Sequence, residues 1–477
     1  MFGEKTAKYY TVSPETIAKR QKVYKNITEV PGMPESIEKI HSLLCDLLSA
    51  YEISGIGINK TSNETALNTV CSINAYIAFI EESYDELKYK ELYADGLRDL
   101  LSYITKEIND PAFQRLKENV RGITSEIRYA KSVTVGINLD SNLRPTEAGL
   151  VSINSTPYRS SRFANKLFSG RSNDPKDFEC LCPISTMSGA ASHEEIATVN
   201  HRLNNALNSV VGKSFKKISS ETKEYLDRVC RELVGLKEGF EFYLSAASFF
   251  KDVKEKGVPV CLPDIREGLY DINALFDYVT VENRGVNGTV PNSVTFDENG
   301  KIYVLCGANS GGKTVFLRSV ALAQLMFQLG LPVLAQRAVM YPFSDINLYF
   351  VTDVKSDLYG RFENEARWFA ESINSAGGMS LYLLDELFSG TSAEEAGEIA
   401  LSALKKISDS GGRCIFSTHL LEMAKRISNA KAVDEFTGFD LLHIETNDDV
   451  PTHRIIRGAP DKFESKAVAI AKKYGVI

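Results

Sequence analysis

One octapeptide constrains this chain more than any other feature: Gly307-Ala308-Asn309-Ser310-Gly311-Gly312-Lys313-Thr314, which fits G-x-x-x-x-G-K-[ST]. The apolar run Lys301–Cys306 leads into it and an apolar helical pattern over Thr314–Leu329 leads out, the strand–loop–helix setting that the motif requires. Glycines let backbone N–H groups converge on a polyphosphate at a helix N-terminus, where the helix dipole also favours an anion. In that arrangement Lys313 neutralises β- and γ-phosphate oxygens and the Thr314 hydroxyl holds Mg2+, so ATP with Mg2+ is the expected ligand. The bland alternative is a glycine-rich turn with no ligand.

Two more strand ends fit the same chemistry. Ser380-Leu-Tyr-Leu-Leu-Asp385-Glu386 is an apolar strand closed by two acids. After a phosphate loop this reads as a Walker B strand, with Asp385 holding Mg2+ through water and Glu386 orienting or deprotonating the attacking water. The next apolar run, Arg413–Ser417, ends in Thr418 and His419. Open α/β sheets bind ligands at the C-terminal ends of their strands, so His419 is expected as a γ-phosphate sensor rather than as a structural histidine.

The surrounding 477 residues divide by texture. Residues 1–131 read as a helical core domain, with apolar residues at three- and four-residue spacing over Ser36–Tyr51, Ser72–Tyr89, Tyr93–Asn109 and Ala112–Lys131. Residues 132–200 read as a strand and loop region: Ser132–Asn138 alternates, and Leu139–Asn173 is rich in Asn, Ser, Arg and Pro. Residues 201–255 carry helical patterning again, including Ser219–Phe250. A helix of about 30 residues is about 45 Å long, which suits a strut between distant parts or one long bundle helix equally well. From 256 to 477 short apolar runs alternate with helices, which argues for a parallel sheet covered on both faces.

Charge and cysteines bound the setting. Lys plus Arg number 55 against 62 acids, a net charge of −7, so a nucleic-acid coat protein is excluded and any DNA contact must be local. The eight cysteines are scattered, and Cys306 and Cys414 sit in strand-like runs, which favours a reduced, cytoplasmic location. Cys180 and Cys182 lack a second pair at zinc spacing. There is neither a signal-peptide core nor a stretch apolar enough to span a bilayer, so no membrane is expected.

At these residues the chain resembles the MutS family of DNA mismatch repair ATPases. GANSGGKTVFLRSVALAQLMFQLGLPVLAQ is similar to the family's GPNxGGKSTxxRxxAxxxxxAxxGxxVPA, YLLDELFSGTS to its MDExGRGTS, and Ser417-Thr418-His419 to its ATH. Thr289–Phe296 resembles the segment that lines the adenine pocket, where the likeness puts Val290 beside the base. The resemblance is close over 265–477 and fainter upstream, where Ser219–Phe250 is similar to a lever helix and Val133–Asp140 to the start of a DNA clamp. It implies an ABC-type, MutS-like P-loop NTPase of α/β class behind a mainly helical core and lever, and a homodimer through its ATPase heads.

The departures shape the expected function. The helical region starts near Met1 and the chain stops at Lys472–Ile477, leaving no room for the family's mismatch-reading and connector domains or its dimerisation tail. Phe79-Ile80-Glu81 has the letters of the mismatch wedge but sits mid-helix. The stretch after Val133 allows a shortened clamp at most. Gly360-Arg361 stands where Ser and Thr usually reach a partner's nucleotide, and Thr289 replaces an aromatic residue. Arg159, Arg162, Lys166 and Arg171 form a run without acids, and Lys213, Lys216 and Lys217 another, suited to sequence-independent phosphate contact or to a solvated loop. The expectation is an ATPase that drives a dimeric clamp on DNA structures other than a directly read mismatch. The alternative is a nucleotide-controlled scaffold for a partner protein.

Overall fold

The computed structural model describes residues 7–54, 64–128, 132–142, 145–154, 182–186, 220–307, 311–350, 360–377, 379–430, 436–447, 450–460 and 475. It forms two compact units, one of Met1–Thr28 with Ser245–Ile477 and one of Glu29–Leu244. Helix α1 (Pro14–Glu29) leads off, with proline in its first turn where no N–H partner is lost.

The second unit is helical. Its helices are α2 (Met33–Ser54), α3 (Glu64–Leu87), α4 (Asp95–Asn109) and α5 (Pro111–Arg128). Leu97, Leu100 and Ile104 bury one face of α4, which packs against α3, where Ile73, Tyr76 and Phe79 are buried; α3 in turn packs against α2, where Leu44 and Leu47 are buried. Pro111 ends α4 and starts α5, and the Asp110 carboxylate accepts the Ala112 N–H at 2.7 Å to cap the new helix. Glu107, a buried acid of α4, accepts the hydroxyls of Tyr76 (2.6 Å) and Tyr225.

Three antiparallel strands follow in the order β1-β2-β3, namely β1 (Ser132–Leu139), β2 (Pro145–Asn154) and β3 (Cys182–Thr186). The strand expected over 132–138 is β1. Strand β2 falls in the stretch read as a polar break, because Pro145, Thr146, Glu147 and Gly149 hide its alternation. Helix α6 (Ser220–Glu255) is 36 residues, about 54 Å, and is continuous through the boundary between the two units.

The α/β unit then runs β4 (Asp264–Ile265), β5 (Tyr270–Leu275), α7 (Tyr278–Arg284), β6 (Asn292–Phe296), β7 (Ile302–Cys306), α8 (Lys313–Gln328) and β8 (Arg337–Met340). It continues with β9 (Ile346–Tyr349), α9 (Arg361–Ser375), β10 (Leu381–Asp385), α10 (Ala393–Asp409), β11 (Arg413–Thr418), α11 (Leu421–Ala430), β12 (Phe439–Asn447) and β13 (Val450–Arg457). The large sheet has the order β13-β12-β7-β11-β10-β9, parallel except for the antiparallel edge strand β13. Every residue of β7 and β10 is buried, as a sheet covered on both faces demands. Leu401, Leu404 and Ile407 of α10 and Met423 and Ile427 of α11 cluster with Val304, Tyr382 and Leu384. A smaller sheet has the order β4-β8-β5-β6.

The N-terminal segment closes onto the far end of α8. Buried Gln328 donates to Thr11 O (3.1 Å) and Phe343 O (3.0 Å), while its own carbonyl accepts the Thr11 N–H. Gly330, at φ +78°, lies so close to α1 that a Cβ there would stand 2.4 Å from Arg20 Cβ. Arg20 Cβ is bonded directly to the backbone of α1, and Ile17 O of the same helix is 3.3 Å away, so the contact cannot swing aside. Gly330→Ala is therefore expected to cost about 2–4 kcal/mol, from left-handed backbone strain plus overpacking, read as a lower midpoint in chemical denaturation.

Candidate nucleotide-binding site

The site grows from the C-terminal ends of three parallel strands. Strand β7 ends at Cys306, and Gly307 turns the chain at φ +151° so close to β12 that a Cβ would lie 2.6 Å from Ile444 Cδ1. Only glycine fits there. Ala308, Asn309 and Ser310 lie outside the described residues. Gly312, at φ +97°, is the N-cap of α8, whose first turn presents the backbone N–H groups that no helical carbonyl can satisfy.

Lys313 is only 3 % exposed, and its Nζ donates to Gly307 O at 2.8 Å and stands 3.6 Å from Glu386 Oε1. Burial pushes its pKa down, against the pull of Glu386 and Asp385. Next to it the Thr314 hydroxyl donates to Asp385 Oδ2 at 2.6 Å, and the Ser417 hydroxyl of β11 donates to Asp385 Oδ1. Glu386 sits at φ +51° and Phe388 at φ +68°, a tight left-handed turn that throws the Glu386 carboxylate out past the strand end. The Glu386 N–H is tied to Ser417 O at 3.1 Å, and His419 Nδ1 lies 3.5 Å from Glu386 Oε1. Lys313, Thr314, Asp385, Glu386 and His419, drawn from three segments, thus form one cluster.

A histidine that sequence reasoning passed over joins it. His453, at φ +63° on edge strand β13, has Nδ1 3.2 Å from Gly311 O, so that nitrogen carries the proton in this contact. Asn292 of β6 holds His453 in place by donating to its carbonyl at 3.1 Å and accepting the Ile455 N–H at 2.7 Å. The same amide nitrogen reaches Val290 O at 3.3 Å, and Val290 itself is partly exposed. Strand β13 carries no local motif. Its place beside the loop is a product of the sheet order.

Arg361 opens α9, donating from Nε to buried Glu365 (2.9 Å) and from Nη2 to Ser389 Oγ (2.6 Å). It therefore fastens the start of α9 to the loop behind Glu386. Phe79 is fully buried in α3 and Glu81 pairs with Lys117, the environment of core and surface side chains rather than of a wedge. Arg159, Arg162, Lys166, Arg171, Lys213, Lys216 and Lys217 all lie outside the described residues.

Residues 303–476, which hold this cluster, match the family profile MutS domain V. Residues 12–256 match MutS2 N-terminal domain, just over half of the chain. The chain belongs to the MutS family. Among its relatives, the Endonuclease MutS2 of Streptococcus thermophilus is 32 % identical over 190 residues, 39 % of this chain and 23 % of that protein. That of Streptococcus equi subsp. equi is 28 % identical over 234 residues, 48 % of this chain and 28 % of its own. That of Streptococcus agalactiae is 28 % identical over 200 residues, 42 % and 25 % respectively. The matched part spans about a quarter of the length of these curated relatives. Among the described residues no helix is long and apolar enough to cross a membrane.

Proposed function

We propose that this chain is a MutS-type ATPase with a P-loop NTPase fold, binding ATP between two copies of its α/β unit and using hydrolysis to move a DNA-embracing helical part. One observation carries the nucleotide reading: Thr314, in the first turn of α8, and Asp385, at the end of β10, meet at 2.6 Å beside buried Lys313, with Glu386 alongside. The hydroxyl and carboxylate are hard oxygen donors, the set that suits Mg2+. Bound there, the ion supplies neutralisation of phosphate charge.

The chain's own groups divide the remaining work. Lys313 exchanges Gly307 O and Glu386 for phosphate oxygens. Ser417 fixes the orientation of Asp385. Glu386, freed from Lys313, accepts a proton from the attacking water, and His419, which faces the same carboxylate oxygen Oε1 as Lys313, orients it. Val290 and His453 flank the nucleoside end. Residues 1–131 serve as the core, 132–200 as a shortened clamp, 201–255 as the lever and 256–477 as the motor in this reading. Arg159, Arg162, Lys166 and Arg171 supply DNA-backbone contacts.

Two measurements test it. Turnover per chain should rise with protein concentration, as a site shared between two copies requires. Branched and duplex DNA should bind in gel shifts with ATP, and replacing the four basic residues by Ala should flatten the log–log salt slope by about 3–4. If no DNA binds at low salt, the partner-protein scaffold replaces the clamp.

A further inference from the structure

Asp277 is a buried acid (3 % exposed) ahead of α7. One carboxylate oxygen, Oδ2, caps α7 by accepting the Thr280 N–H at 2.8 Å and the Thr280 hydroxyl at 2.7 Å. Both oxygens also take a forked pair of bonds from Arg318, Nε to Oδ1 at 2.9 Å and Nη2 to Oδ2 at 2.6 Å. Arg318 is one turn beyond Thr314 on α8, the helix that starts at the phosphate loop. A planar guanidinium on a carboxylate fixes direction as well as distance.

What this pair fixes follows from where α7 goes. The helix runs through Gly285 and a short 3-10 turn (Val286–Gly288) into Thr289, Val290 and Asn292. Asn292 returns to the phosphate loop through His453 and Gly311. The contacts therefore close a circuit: Gly311, His453, Asn292, the 285–290 segment, α7, Asp277, Arg318, α8 and back to Lys313. The segment that carries Val290 is anchored at both ends, by Asn292 on one side and by the Arg318–Asp277 fork on the other.

We propose that Arg318, through Asp277, is a positioning residue for the nucleoside end of the site, setting how far the Val290 segment stands from the phosphate loop. This rests on the nucleotide reading given above. The fork joins Arg318 to Asp277, which caps α7, so its loss should loosen the grip on base and ribose while leaving phosphate binding and the chemical step in place.

Arg318→Lys keeps the charge and the stem but not the fork, and Asp277→Asn keeps an acceptor for the helix cap. Each should raise KM for ATP about tenfold with kcat within about twofold, the order expected from losing one charge-assisted hydrogen bond. Inhibition by inorganic tripolyphosphate, which has no nucleoside, should stay as in the unaltered protein. The double variant should cost less than the two singles combined, since both break one contact. Unchanged KM in both variants overturns the proposal, as does an equal loss of tripolyphosphate inhibition, which would mean that the fork holds α8 itself. If the unaltered protein neither binds nor hydrolyses ATP, the nucleotide reading fails first. If it turns over normally and the variants match it, only the role of Arg318 fails.

Discussion

Lys313→Ala is expected to raise the dissociation constant for ATP by at least about 100-fold, the cost of about two charge-assisted hydrogen bonds. The lysine is almost wholly buried and faces Glu386 and Asp385, at the place where the proposed triphosphate would arrive. Without it a polyanion enters a pocket that already holds two carboxylates, and repulsion adds to the lost bonds. Titration with a fluorescent ATP analogue measures the effect directly. Affinity within a few-fold of the unaltered protein would mean that the phosphates bind elsewhere.

Glu386→Gln should separate binding from turnover. The amide has nearly the shape of the carboxylate, so the turn at φ +51° and its N–H bond to Ser417 O remain. It cannot accept a proton from water. Hydrolysis is expected to fall by about 10²–10⁴-fold, the usual range for a lost general base, while ATP affinity stays or tightens as Lys313 loses a competing partner. Single-turnover phosphate release against equilibrium binding of the same variant checks both halves. Normal hydrolysis would remove Glu386 from the mechanism.

The legible part of this molecule was the part that local spacing encodes. Strands β7, β10 and β11 and helix α8 are each one continuous pattern, and their ends place Lys313, Thr314, Asp385, Glu386 and His419 by the general rule for parallel sheets. The helices over 33–128 and the long helix α6 announce themselves by period in the same way. Family likeness alone points to Val290, which no spacing would have singled out. Hidden were the parts that depend on distant pairing. His453 reaches Gly311 only because β13 pairs with β12 at the sheet edge, and Asp277 meets Arg318 across 41 positions of sequence. Strand β2 was hidden for another reason: its polar and small residues suit a sheet with little burial, which looks like loop composition.

The clasp between Gln328 and the N-terminal segment bears on the order in which this protein can be made. Tyr10 bonds to Phe343, 333 positions later, and Thr11 accepts from Gln328, 317 positions later. At ribosomal speeds of about 5–20 residues per second, the first helix waits roughly 15–65 s for its partners to be synthesised. Until then Ile17, Tyr24 and Ile27 have no α/β core to enter. The α/β unit cannot finish folding as it emerges in sequence. It closes only when Tyr10 and Thr11 are joined by Phe343 and Gln328, more than 300 positions later, so the apolar face of the first helix needs shelter from aggregation until then.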